Sequence, residues 1–273
     1  MPEIANVNDR TNDIEGIIRS TTISSVTNFA QNRLRRREGT FQILDLLIPR
    51  ERKIRSIVGG METSLGKTLW EPLAKSLARA NGFEVINEDL LSPAIMPAVL
   101  QNTIAIITES RLNRVAEYTA AICHTQIRNA CQSFITNPIA NFSKAPRGFG
   151  VDIWLRKDEV NYFFDTKTVQ SNIGNFTKYF NQVINWYVYY YSRYPNGNAQ
   201  ARIVFPYNPY PGDYWHGAIG GGFPLEAHNE AWVEDEFWDF CSGIENTFDH
   251  IKATFENIAE SGDLQEQIDR LFE

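Results

Sequence analysis

The sequence predicts an α/β protein whose core elements follow the order αβββαβ. Three observations predict it. Leucines recur every four residues at 65, 69, 73 and 77; two β-rich runs, 149–155 and 160–167, flank a polar tetrapeptide; and an aromatic helix at 174–194 leads into the apolar run Ala201–Phe205. With 273 residues, 43% of them hydrophobic, the chain has material for a sizeable core.

Residues 1–60 read as a basic, mostly helical region. It carries one cluster at Arg33, Arg35, Arg36 and Arg37 and a second at Arg50, Arg52, Lys53 and Arg55. The leucine repeat predicts a helix over 65–81, stopped by Asn81-Gly82, with Pro72 either kinking it or marking its first turn. Phe83–Ile86 then reads as a short strand. Residues 88–147 read as a helical insertion, bounded by Pro93, Pro97, Pro138 and Pro146, with one helix from Glu109 to about Phe134. The core spans 61–210 around this insertion, and 211–273 reads as an acidic, mostly helical region packed on it.

The stretch 148–170 is the most informative. Lys157-Asp158-Glu159-Val160 separates two β-rich runs, which is a hairpin signal even though Asp-Glu is not a favoured two-residue turn. The helix after it places Phe176, Tyr179, Phe180, Val183, Trp186, Tyr187 and Tyr190 at helical spacing, the mark of a buried stripe rather than of a base-stacking surface. Pro195 and Gly197 end that helix.

The formal charge of −7 argues against a nucleic-acid partner only until it is divided by position. Residues 201–273 hold 3 basic and 15 acidic side chains, whereas the first 200 residues are net +5. The N-terminus shows neither the basic start nor the apolar run of a signal or transit peptide, and no stretch approaches a membrane span. Three scattered cysteines give no disulfide framework, so a reducing, cytoplasmic setting is expected. The four histidines lack metal-ligand spacing, and neither GxxxxGK[ST] nor GxSxG occurs.

Residues two apart on a strand share a face, so Asp165 and Lys167 point the same way. If the hairpin turns on Asp158-Glu159, facing residues sum to 317 and Asp152 lies opposite Asp165. Two carboxylates that close repel unless a cation holds them, and a hard divalent ion such as Mg²⁺ is the natural occupant. The chemistry this implies is in-line attack of water on a phosphodiester. Lys167 would hold or deprotonate that water, or stabilise charge in the transition state. The competing reading is a plain cross-strand ion pair. A chain with 8 lysines and 33 carboxylates contains about one [DE]xK by chance, so Asp-Thr-Lys decides nothing by itself.

The element order, Asp152 and Asp165-x-Lys167 resemble the PD-(D/E)XK nuclease superfamily, with Trp70-Glu71 and Gly82-Phe83 matching its first helix and strand entry. Val151 stands where that pattern usually has Pro. The runs FDTKTVQ and PYNPY are similar to type II restriction endonucleases of the TdeIII/MjaII kind over about residues 62–245. That resemblance implies a Mg²⁺-dependent homodimer that cuts both strands of double-stranded DNA at a short palindrome, GGNCC, alongside a methyltransferase acting on the same site. It carries Asp152, Asp165 and Lys167 over as catalytic positions, the Thr166 main-chain carbonyl as a further metal ligand, and Glu71 as the helix carboxylate. Glu62 is the rival to Glu71, because a continuous helix would place it on the Leu65/Leu69 face. A structure-specific or repair nuclease of the same superfamily and a non-catalytic DNA-binding module are the alternatives.

For the remaining candidates a bland role competes with a functional one. Arg33, Arg35, Arg36, Arg37, Arg52 and Lys53 can grip phosphates or form a solvated helix face. Gln170, Asn172 and Asn175 can reach a DNA groove, but capping the following helix is the commoner use of such residues. Gln182, on the aromatic helix, can steady a metal ligand, although a packing amide is the more ordinary role.

Overall fold

The computed structural model describes residues 7–35, 43, 46–167 and 169–272. In chain order its elements begin with α1 (Val7–Arg35), α2 (Pro49–Leu65), a π-helical turn (Gly66–Trp70), α3 (Glu71–Ala80), β1 (Glu84–Ile86) and β2 (Leu91–Pro93). There follow α4 (Ala98–Leu112), α5 (Ala120–Cys131), β3 (Phe142–Lys144), β4 (Ile153–Lys157), β5 (Val160–Thr166), α6 (Ile173–Arg193) and β6 (Asn198–Phe205). The chain closes with α7 (Tyr214–Gly217), β7 (Ala231–Val233), α8 (Asp235–Ser242), α9 (Thr247–Ser261) and α10 (Asp263–Asp269). No described helix is long and apolar enough to cross a membrane.

The chain divides into two compact units, Gly82–Phe237 and a second made of the residues up to Asn81 with those from Trp238 onward.

The terminal unit is helical. In α1 the buried residues Ile14, Ile18, Thr22, Val26 and Ala30 fall four apart, a stripe that one packing face produces. The helix expected over 65–81 does not run through. Ser64 leaves helical geometry (φ −117°, ψ 17°), a π-turn follows, and α3 begins at Glu71, whose N–H reaches back to the Gly66 carbonyl. Pro72 explains the break: it sits in the first turn of α3, and its ring would clash with the carbonyl four residues earlier in an uninterrupted α-helix.

The other unit is built on a mixed five-stranded sheet in the order β1-β4-β5-β6-β7. β1 and β5 run antiparallel to β4, while β5, β6 and β7 are mutually parallel. The β4–β5 register, from Ile153↔Phe164 to Lys157↔Val160, keeps the sum of 317 throughout. Asp158 (φ 50°) and Glu159 (φ 61°) both take left-handed geometry, as the two central residues of a type I′ turn must. Strand alternation sends Asn161, Phe163 and Asp165 toward α6, with Phe163 edge-on to Tyr190. Tyr162 and Phe164 pack on the opposite face against Phe83, Trp232 and Phe237. α6 is more than a stripe. Thirteen of its 21 residues are buried, because α4 and α5 cover the side that the sheet does not.

The region after 211 is mostly helical and also holds the parallel edge strand β7 at Ala231–Val233. One expectation needs correction: the helical pattern from Glu109 to about Phe134 is not one helix. α4 already contains Ile104–Ile107 and ends at Leu112, and α5 starts afresh with Thr119 as N-cap, its Oγ1 accepting the Ile122 N–H. A two-stranded ribbon, β2–β3, also lies in this segment.

Buried polar groups tie the insertion down. Arg111 of α4 is ion-paired with Glu230 and donates to the carbonyls of Pro224 (2.6 Å) and Tyr118 (3.1 Å). Burial pushes the Glu230 carboxyl up to about 7, against the pull of the Arg111 guanidinium. His124 of α5 bonds the Tyr191 hydroxyl at 2.8 Å and lies 4.3 Å, centroid to centroid, from Tyr187. Burial, reinforced by Arg128, pulls its imidazole down to about 4.

Candidate active site

β5 is the middle strand of the sheet, and its C-terminal end carries the Asp165–Lys167 pair. Asp165 is buried (4% exposed), and its Oδ2 accepts from the Lys167 ammonium and, at 2.6 Å, from Gln182 Nε2 of α6. The Lys167 side chain keeps 21% of its surface in solvent, and its ammonium lies 5.3 Å from the centroid of the Tyr179 ring. Its backbone N–H bonds the Val204 carbonyl at 2.8 Å, which prolongs the β5–β6 pairing beyond the end of the strand. The segment that follows is fixed by Tyr214, whose hydroxyl donates to the Val169 carbonyl, and by a Ser171–Tyr179 hydroxyl contact.

Asp152 is exposed and precedes the first residue of β4. The ladder ends at Ile153↔Phe164, so Asp152 and Asp165 occupy the next position along the same register. Thr166 closes β5, with its side chain on the face opposite Asp165 and Lys167. Glu71 belongs to the terminal unit, where it pairs with Lys75 one turn on at 3.5 Å. The break at Ser64 removes the continuous helix on which the claim of Glu62 rested; Glu62 is exposed, beside an apolar groove lined by Ile54, Val58 and Leu65.

The other candidates are dispersed. Arg33 Nε bonds the carbonyl and hydroxyl oxygens of Ser56 at 3.2 Å, and Arg50 pairs with Asp269 at 3.1 Å. Arg35 and Lys53 are exposed, and Arg52 is half-buried. Arg36 and Arg37 lie outside the described residues. Asn172 is the N-cap of α6, its Oδ1 accepting the Asn175 N–H at 2.9 Å, while Gln170 is exposed. Sequence reasoning offers Gln182 as a residue that can steady a metal ligand, and Gln182 bonds Asp165; what it misses is Tyr179 under Lys167 and the Gly150 carbonyl. The only signal available was the helical spacing of Tyr179, Gln182 and Trp186.

Among the described residues no cluster of three or more His, Cys, Asp or Glu gathers to form a metal cage. The donors at the end of β5 are all oxygens: Asp165, the adjacent Asp152 position and main-chain carbonyls. That set suits a hard divalent ion which takes one or two protein carboxylates and fills its remaining positions with water and substrate phosphate. The buried Gln182 Oε1, which has no hydrogen-bond partner among the described residues, fits the same picture.

A mixed sheet flanked by helices, with a carboxylate–ammonium pair at the end of its middle strand, is compatible with a nuclease core. Residues 10–259 match the family model "Type II restriction endonuclease, HinfI", and the chain belongs to that family. It is thus a site-specific deoxyribonuclease. No curated protein and no solved structure matches the chain.

Proposed function

We propose that the protein makes Mg²⁺-dependent double-strand cuts at a short palindrome, working as a homodimer in the cytoplasm beside a methyltransferase that protects the same site. The observation that carries this reading is Asp165, buried at the end of the middle strand and held between the Lys167 ammonium and the Gln182 amide. GGNCC as the recognised sequence rests on the TdeIII/MjaII resemblance alone.

Asp152, Asp165 and the Thr166 carbonyl are the proposed ligands of the divalent ion. When bound, such an ion polarises a phosphoryl oxygen and makes water a better nucleophile. Lys167 orients the attacking water or stabilises the charge that develops on the phosphoryl group. Exposed Lys53 and Arg35 supply phosphate contacts that add affinity without reading sequence.

Digestion of a sequenced plasmid in Mg²⁺, with the fragment ends read, tests the proposal. Discrete fragments ending at one short palindrome are expected. Cleavage only of branched or damaged substrates would instead point to a structure-specific nuclease, and binding without cleavage to a DNA-binding module.

A further inference from the structure

α6 reaches the open end of the β4–β5 hairpin at two points one helical turn apart. Trp186 Nε1 donates to the Phe149 carbonyl at 2.9 Å, and Gln182 Nε2 donates to the Gly150 carbonyl at 3.3 Å and to Asp165 Oδ2 at 2.6 Å. The strand ladder has already ended at Ile153↔Phe164, so ladder hydrogen bonds no longer set how far the segment carrying Asp152 lies from Asp165. The Gln182 amide spans that gap, with one N–H on the segment two residues before Asp152 and the other on Asp165. Both acceptors are oxygens, so the amide has one sensible orientation; flipped, it would set oxygen against oxygen. Gln182 is 2% exposed, and its Oε1 is buried with no hydrogen-bond partner among the described residues. A buried, unpaired amide oxygen beside a proposed metal site calls for a donor that the described residues do not supply.

We infer that Gln182 is the positioning residue of this site. Its N–H groups fix the spacing of the two carboxylate-bearing segments and turn Asp165 so that Oδ1 stays outside both bonds, and its Oε1 accepts from a water that arrives with the divalent ion. The inference rests on the metal-dependent reading given under Proposed function.

Mn²⁺ binding to the DNA-free protein, followed by the electron paramagnetic resonance signal of the free ion, tests it together with thermal unfolding. Gln182→Met keeps the length of the side chain and removes every hydrogen bond. It is expected to weaken Mn²⁺ binding about tenfold or more and to raise the half-saturating Mg²⁺ for plasmid cleavage in proportion, with the maximal rate recovered at saturating metal. Gln182→Glu adds a carboxylate, so Mn²⁺ should raise its Tm by more than it raises that of the wild type. If Gln182→Met does not fold, the Gln182→Glu comparison decides. Variants that lower Tm yet respond to Mn²⁺ as the wild type does would make Gln182 a packing amide and overturn the inference, while wild-type cleavage would leave the nuclease reading intact. A wild type that neither binds Mn²⁺ nor cuts DNA would overturn that reading, and the inference with it.

Discussion

Asp165 and Lys167 stand two residues apart at the end of β5, and the lysine ammonium is paired with Oδ2 of a carboxylate that is almost wholly buried. A purely structural pair would matter to stability alone. As parts of one catalytic unit, the two residues should matter to rate and do so non-additively. Asp165→Asn and Lys167→Met are each expected to lower plasmid cleavage by about 10²–10³-fold or more, with the double variant little worse than either. Steady-state cleavage rates, read beside circular dichroism to establish folding, check this; folded variants as active as the wild type would sink the catalytic assignment.

The β4–β5 turn carries avoidable strain. Asp158 and Glu159 both hold positive φ, a geometry that Asn-Gly adopts at far lower cost. Replacing the pair with Asn-Gly should stabilise the protein by roughly 1 kcal/mol, measurable as a higher midpoint in urea. Cleavage should be unchanged, because the turn lies at the end of β5 away from Asp165.

Arg111 and Glu230 are buried together, so removing one partner strands the other's charge or polarity. Arg111→Met is expected to cost about 3–5 kcal/mol. Pairing it with Glu230→Gln should restore much of that loss, since the one carboxylate then left without Arg111, Glu226 at 3.7 Å, is a third exposed and still accepts the Ala120 N–H. Denaturant titrations of the two single variants and the double variant provide the cycle.

His124 gives stability an acid-side dependence. Its folded pKa, about 4, lies below the ordinary imidazole value of 6.5, so the fold favours the neutral ring. Its contribution is therefore complete above pH 6.5 and is lost as the pH falls from there toward 4, at most about 2–3 kcal/mol after allowance for partial exposure. His124→Gln should show a shallower fall in Tm than the wild type between pH 7 and 4.5.

What the sequence made legible was local. The hairpin, its register and the shared face of Asp165 and Lys167 follow from alternation and from turn position, both short-range properties. β7 is invisible because three residues are too few to show a period, and their place in the sheet is decided by their partners in β6, 28 residues earlier. The break between α4 and α5 carries no Gly or Pro; the left-handed Arg114 (φ 58°) makes the turn, at a residue type that gives no warning of it. The Arg33–Ser56 and Arg50–Asp269 bonds, like the contact of Gln182 with Asp165, depend on how separate elements meet. Composition can say only that an Arg is present, not what occupies it.

The π-turn before α3 works as a phase adjuster. Each residue added to or removed from an α-helix rotates everything beyond it by about 100°. Gly66–Trp70 absorbs an offset of that kind, so that Leu69 and Trp70 on one side and Leu73 and Leu77 on the other are all buried. The information in this segment is accordingly its length more than its composition. Conservative substitutions at Lys67 or Thr68 leave the helical phase intact. Deleting a single residue there would swing α2 out of step with α3 and dismantle the packing of both.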